Sequence, residues 1–525
     1  MLHGRLLQLG AQLFCPRGEG NEQHPEGHIG GFRSWIVDLK DSLLQHFPVP
    51  GGQDVIPDDV FLEPSWKLEL ASEHEKADSS TSATTSNCTE PELTFDTPPS
   101  RDLIPVKDSF LADLVANPRI TPIDHSQDVR LMEFHVPQSL PYGPGAVAVI
   151  YPKNFPQDVT QFIKIMEWED IADSPLNLVP NQSSADSKRP PPSPLRHVDL
   201  TQCTTTMRSL LTNYIDFMSI PRRTFFASLA YFTKETTEDE QYHKERILEL
   251  ANPELIDELW DYTTRPKRTI LEVMPDFPSI KIPWQYALTI LPIMRGRQFS
   301  IASGGELKQT SSGQTQVQLL VAIANPPNPI IKYRKRYGVC TRYIASLQAG
   351  QKLNIGLQPG YLDVKQEEAQ APVIMIGPGT GVAPMRAMIY ERLMWNNASG
   401  QSVASLEGSV LFFGCRNQGA DYFFKEEWQH LENKGLKVFA GFSRDANEPK
   451  TYVQDLLNHQ SALVFNTVAK QGGKVYVCGS SGNMPKGVRQ ALVDVLQNHG
   501  EMSTDDAESY IEGMEKAGRY KQETW

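Results

Sequence analysis

The sequence predicts an antiparallel β-barrel carrying a helical insert, followed by a doubly wound α/β domain with a parallel sheet. Three observations predict it. From Ala371 onward, short apolar runs alternate with helical periodicity, the pattern of a parallel sheet covered on both faces. Between Asp108 and about Lys365 the signals are mainly strands, interrupted by helical periodicity. Finally, Val373-Ile-Met-Ile376 runs directly into Gly377-Pro-Gly-Thr-Gly381, a glycine-rich turn from a buried strand into a helix.

The chain has 525 residues, room for roughly three domains. Its apolar content is that of an ordinary globular protein. No apolar run approaches the ~18–20 residues a membrane helix needs, and Met1 to Gln12 lack the apolar core of a signal peptide. The formal charge of −13 argues against nucleic acid as a partner. The six cysteines are scattered without a Cys-x-x-Cys pair, which argues against a disulfide framework or a metal site and suits a reducing, cytoplasmic setting.

Residues 1–48 resemble the end of an α/β unit. A helical face (Leu2, Leu6, Leu7, Leu9), a strand at Ala11–Cys15, a polar loop at 18–24 and an amphipathic helix at 34–47 cannot bury their faces alone. Residues 49–107 read as a linker, with a disordered composition at 72–100. Lys188-Arg-Pro-Pro-Pro-Ser-Pro194 is a second break. The barrel region, 108–365, has strands expected at 129–136, 146–151, 297–303 and 317–324, with the helical insert at about 195–290. The α/β region, 366–525, has strands expected at 373–376, 409–413, 436–441 and 474–478. Helices are expected near 384–395, 421–433, 451–458, 484–499 and 503–516. Ligands of such sheets bind past the carboxyl ends of the strands.

Four stretches carry chemistry. Gly379, Thr380 and Gly381 let the backbone approach a phosphate, and the helix start aims free N–H groups at it. In Arg297-Gln-Phe-Ser300, Arg297 and Phe299 share a strand face, which suits a phosphate and a flat ring but equally an outward arginine beside an inward phenylalanine. Gly338-Val-Cys-Thr341 adds a turn with N–H groups and a hydroxyl. Ser443-Arg444 and Lys450-Thr-Tyr-Val-Gln454 bring two cations, hydroxyls and an aromatic ring together after a strand. This suits an adenosine with an extra phosphate, or a solvated basic patch. The chain ends on Trp525, whose burial is worth ~2–3 kcal/mol, so it either fills a core gap or covers a flat ligand.

These motifs, in this order, resemble the ferredoxin–NADP reductase-type half of the diflavin reductases, the group containing cytochrome P450 reductase. The likeness extends to its NADPH-dependent branch serving cytosolic iron–sulfur assembly. It rests on Arg265-Pro-Lys-Arg-Thr-Ile-Leu-Glu272, Arg295 to Ser303, Phe412-Phe-Gly-Cys-Arg416 and Glu523-Thr-Trp525, and runs over nearly the whole chain. The resemblance implies an FAD barrel with a helical connecting insert and an NADPH domain. It implies that Lys267, Arg268, Arg297, Gln298, Phe299, Ser300, Gly338, Val339, Cys340 and Thr341 serve FAD. Phe299 stands where several relatives have tyrosine, and Lys267 replaces an arginine.

The glycines around Thr380 would hold the NADPH pyrophosphate. Arg416, Ser443, Arg444, Lys450, Thr451, Tyr452, Val453 and Gln454 would hold the rest of its adenosine end. Ser300, Cys478 and Glu523 would assist hydride transfer, with Trp525 as a lid over the flavin. Electrons would pass to FMN in a flavodoxin module and then to an anamorsin-type iron–sulfur protein. That module's phosphate loop and first strands have no counterpart here, so residues 1–48 are expected to be its last part and FMN is not expected on this chain. The alternatives are a redox-silent interaction fragment and a reductase passing electrons from FAD directly to an acceptor.

Overall fold

The computed structural model describes residues 2–20, 28–49, 56, 60–71, 94–181, 192–198, 205–325, 336–398, 406–446 and 449–525. The polar linker at 72–93, the loop residues 21–24 and the proline break at 188–191 lie outside them. Among the described residues no helix is long and apolar enough to cross a membrane.

Near the start are two helices, Leu2–Gln8 and His28–His46. The strand expected at Ala11–Cys15 does not form, and no described strand pairs with it. The Trp35 indole N–H instead donates to Pro16 O at 2.7 Å.

Among the described residues the barrel has six strands. In spatial order they are Arg297–Ser300, Val147–Ile150, Lys352–Gln358, Ser109–Ala116, Val129–Val136 and Thr315–Ala322, each antiparallel to its neighbours. A bridge between Ile301 and Leu319 brings the two ends together, so the sheet nearly closes. Alternate residues point inward, and Ala112, Leu114, Phe134, Ile150 and Val317 pack into one apolar interior.

The helical insert has its own core, built around Phe162, Phe217, Phe226 and Ile247. It is wider than expected. The helix Pro156–Met166 belongs to it, well before residue 195. After residue 206 the insert forms two helices, Met207–Asn213 and Arg223–Ala230, separated by a segment containing Pro221. The linker expectation also needs correction. Trp66–Leu70 alternates and forms a strand antiparallel to Leu176–Pro180, with Leu68 wholly buried in the insert core. Further along, the Lys153 ammonium is buried and donates to the carbonyls of Ser100 and Asp102 at 2.8 and 2.6 Å.

The second sheet is parallel throughout. Its order is Lys437–Phe442, Ser409–Cys415, Val373–Ile376, Lys474–Gly479 and Tyr520–Thr524. Val373–Ile376 is central and buried on both faces, which is why it reads as an unbroken apolar run. An apolar cluster crosses between the two domains, joining Val129, Ala302 and Leu320 of the barrel to Met385, Met388 and Ile389 of the helix Val382–Ala398. The barrel backbone touches that helix at Gly304 and Gly305. A Cβ on these residues would collide with the carbonyls of Ala387 and Tyr390 respectively. Gly304→Ala is therefore expected to cost about 3 kcal/mol, the upper range for overpacking. Urea unfolding measures it; an unmoved midpoint would mean the helix gives way freely.

Candidate active site

Past Ile376 the chain turns through Gly377 and Pro378 into a short 3₁₀ turn, Gly379–Gly381, and then the helix Val382–Ala398. The helix starts earlier than expected, directly after the glycines. Gly379 has φ +58°, and a Cβ there would meet nothing. A Cβ on Gly381 would strike the Cys478 carbonyl, so that glycine lets two strand ends approach. Gly379 and Thr380 line a cleft of about 1150 Å³ between barrel and sheet. The start of the helix Val382–Ala398 gives this wall a partial positive charge.

The barrel supplies the opposite wall through Gln298, Phe299, Ser300 and Thr341. Arg297 and Phe299 do share a face, opposite Ile150 and Ala148 on the neighbouring strand. Gly338 to Thr341 is not a free turn. Gly338 caps the helix Val339–Ser346, whose first residues are Val339, Cys340 and Thr341. The Thr341 hydroxyl accepts from Ala324 N–H at 3.0 Å and donates to Gly338 O at 3.3 Å, which closes the helix start against the barrel. Arg297 donates to Asp216 at 3.2 Å. It also lies near Cys340, whose thiol burial pushes up to about 12 against the pull of that guanidinium. The other Asp216 carboxylate oxygen is buried with no partner.

At the far end, Ser443 and Arg444 continue the ladder past Phe442. Ser443 N–H donates to Cys415 O at 2.9 Å and Arg444 N–H to Arg416 O at 2.8 Å. Arg416, Ser443, Thr451, Tyr452, Val453 and Gln454 all line the cleft. The Lys450 ammonium lies 5.0 Å from the Tyr452 ring centre, and Arg444 and Lys450 are exposed.

The chain end forms a fifth strand that the sequence reading did not anticipate. Tyr520–Thr524 pairs with Lys474–Gly479 so that Glu523 stands opposite Cys478. Trp525 N–H donates to Gly479 O at 3.1 Å, and its carbonyl accepts from Ser481 N–H at 3.0 Å. The indole, 53% exposed, lines the cleft with Phe299 and Ser300, so it is not a core plug. Cys478 is wholly buried and does not line the cleft. Burial, and then the charge of Glu523, holds its thiol well above the ordinary range, so it remains a neutral S–H.

Glu523 does line the cleft. One of its oxygens is buried without a partner, and burial raises its pKa above 4.5. The folded chain thus holds this proton to higher pH than the unfolded chain. The corresponding stability is present below pH 4.5 and lost as pH rises through the raised value. Glu523→Gln is expected to flatten that part of the melting-temperature profile; superimposable profiles would show the carboxyl to be solvated.

The structure does not bring Lys267 and Arg268 to the cleft. Both lie in the insert. Arg268 donates to Asp276 at 2.6 Å and to Glu272 O at 2.8 Å, with its guanidinium 4.6 Å from the Tyr262 ring centre. Sequence reasoning also missed cleft residues: Gln127, Asp421, Ser480 and Asn483. Ser480 to Asn483 had a legible signal, a small polar run between the strand ending at Gly479 and the helix Asn483–Gly500. Asp421 had none. It is buried because it accepts the backbone N–H groups of Arg416 and Asn417, the latter at 2.7 Å.

A near-closed barrel and a parallel nucleotide-binding sheet, sharing one cleft with a helix start on each wall, define a flavoprotein reductase of the ferredoxin–NADP reductase class. The FAD binding domain family matches residues 104–343, and the oxidoreductase NAD-binding domain family matches residues 375–490. Three relatives carry the same name, NADPH-dependent diflavin oxidoreductase 1. The chain is 44% identical to the one from Aspergillus fumigatus, 36% to that of Schizosaccharomyces pombe and 35% to that of Mus musculus. Each match spans 100% of this chain and 81% of the relative. The chain belongs to the NADPH-dependent diflavin oxidoreductase family, and is an oxidoreductase using FAD and NADPH.

Proposed function

We propose that this chain takes hydride from NADPH onto FAD. The electrons then pass, by way of FMN in a flavodoxin module, to an anamorsin-type iron–sulfur protein in cytoplasmic iron–sulfur cluster assembly. The single observation that supports the reading best is the convergence of Thr380, Ser300, Glu523 and Trp525 on one cleft. The residues present fit a flavin dinucleotide. The helix start at Gly338–Thr341 offers N–H groups to a pyrophosphate, Arg297 offers a charge beside it, and Phe299 offers a ring face. The chemistry FAD supplies when bound is the conversion of one hydride transfer into single-electron steps.

The chain's own residues then bind and orient. Gly379, Thr380 and Gly381 hold the NADPH pyrophosphate. Ser443, Arg444 and Lys450 hold the 2′-phosphate, with Tyr452 on the adenine. Trp525 covers the cleft and moves aside for the nicotinamide. Glu523, once ionised, stabilises the positive nicotinamide left after transfer. Ser300 orients the ring pair, and Cys478 backs the strand carrying the Gly479 carbonyl. Because its thiol stays protonated, Cys478 contributes packing and a weak S–H donor, not a nucleophile.

The test is direct. Purified chain should be yellow, release FAD on denaturation by chromatographic assay, and bleach anaerobically with NADPH much faster than with NADH. Ferricyanide should then be reduced at the expense of NADPH, and an anamorsin-type iron–sulfur protein once a flavodoxin module is supplied. A colourless chain that binds the iron–sulfur protein but cannot be loaded with FAD would replace this reading with that of an interaction fragment. Rapid reduction of the iron–sulfur protein without the module would remove FMN from the route.

A further inference from the structure

The barrel wall and the phosphate-binding wall of the cleft are joined by one buried guanidinium. Arg386 lies one turn into the helix Val382–Ala398, just past the Gly379–Gly381 turn, and is 3% exposed. Its Nη1 donates to Ala302 O at 2.9 Å and to Gln318 Oε1 at 2.8 Å, both on the barrel. Its Nε and Nη2 donate to the two carboxylate oxygens of Glu427 at 2.7 and 2.9 Å, and it lies 4.4 Å from the Phe424 ring centre. Ala302 lies two residues past Ser300, just beyond the end of the cleft-lining strand. The barrel acceptors are themselves fixed: Ala302 N–H donates to Gln318 O at 2.7 Å, and the Gln318 amide donates to Glu133 at 2.9 Å.

A second clasp follows on the same helix. One Glu391 oxygen accepts from Gly305 N–H at 2.7 Å and the other from the Lys308 ammonium at 2.9 Å. Alone, Glu391 and the glycine contacts would hold the domains together. They act further along the helix, however, at Ala387, Tyr390 and Glu391, whereas Arg386 lies within one turn of Ala383, which lines the cleft.

We propose that Arg386 is a positioning residue for hydride transfer. By tying the first turn of the phosphate-binding helix to the carbonyl beside Ser300, it sets the separation and tilt between the two walls, and so between the rings they hold. It touches no reacting atom. A fork is required because one planar group must serve two barrel acceptors and a carboxylate at once; lysine offers a single nitrogen on a flexible four-carbon stem. This rests on the NADPH-to-FAD reading above.

The test uses Arg386→Lys, which keeps a cation beside Glu427, and the paired Arg386→Met/Glu427→Gln, which leaves no unpaired buried charge. Flavin content, thermal unfolding and the affinity for 2′,5′-ADP, which does not extend to the nicotinamide, are measured beside two cleft readouts. These are the long-wavelength charge-transfer absorbance on mixing with NADPH and the single-turnover rate of flavin bleaching. The expected result is normal FAD content and 2′,5′-ADP affinity, a weakened charge-transfer band, and bleaching slowed about 10- to 100-fold, the size of effect a misplacement near 1 Å produces. In Arg386→Lys the loss should be smaller.

An unchanged band and rate in either folded variant overturns the proposal. So does a loss of stability, flavin and 2′,5′-ADP binding in parallel with the rate, since that describes a residue needed only for folding. If the unsubstituted chain fails to bleach with NADPH, the functional reading falls first, and independently of Arg386.

Discussion

Replacing Trp525 with alanine is expected to raise kcat/KM with NADH about 30-fold while changing that with NADPH far less. The indole occupies the cleft wall beside Phe299 and Ser300, where on the proposed reading a nicotinamide displaces it. Returning part of that apolar surface to water costs roughly 2 kcal/mol, which corresponds to about 30-fold. Both coenzymes meet this cost. On the proposed reading NADPH offsets it through its 2′-phosphate at Ser443, Arg444 and Lys450, and NADH has nothing to set against it. Once the indole is gone, NADH gains the full amount, whereas NADPH, whose tight binding already brings its kcat/KM near the rate of association, gains little. Steady-state rates with both coenzymes decide the matter. An unchanged ratio would mean that the indole does not stand where the nicotinamide goes.

Arg444→Ala is expected to lower kcat/KM with NADPH about 10- to 100-fold, the worth of ~1.5–3 kcal/mol in a charge-assisted hydrogen bond. The rate with NADH should hold. Arg444 is fixed at its backbone, where its N–H donates to Arg416 O, while its side chain is exposed. The substitution therefore removes a charge without disturbing the ladder. The defect should shrink at high salt, because screening weakens the same contact in the parent chain. Equal losses with both coenzymes would show Arg444 to be structural and leave Lys450 as the main phosphate contact.

Much of the fold was legible because burial on both faces leaves a mark in composition. Val373–Ile376 and Ser409–Cys415 are wholly buried strands and read as apolar runs. Val129–Val136 is half buried and reads as alternation. The strands that escaped notice lack such marks. Ser109–Ala116 mixes inward Ala112 and Leu114 with Leu111 and Val115 at the surface, which blurs the period. Tyr520–Thr524 is an edge strand of mostly polar residues, held by backbone pairing to a single neighbour. Hydrophobic pattern cannot announce a strand stabilised mainly by its hydrogen bonds. Glycine-rich turns were legible for the opposite reason: only glycine tolerates the approach of Gly381 to the Cys478 carbonyl, and glycine takes the left-handed conformation of Gly379 without steric cost.

The sequence by itself determined the two architectures, the strands whose faces are buried or half buried, and the glycine-rich turn after Ile376. Each of these is local, set by periodicity within a segment or by the steric demand of one turn. Only the tertiary structure decided that Cys478 lies buried behind Glu523, that Lys267 and Arg268 turn into the helical insert, and that Arg386 bridges the two domains. Those outcomes depend on which distant backbone groups arrive beside a side chain. A buried charge goes wherever acceptors satisfy it, and no local pattern in the chain records where those acceptors will be.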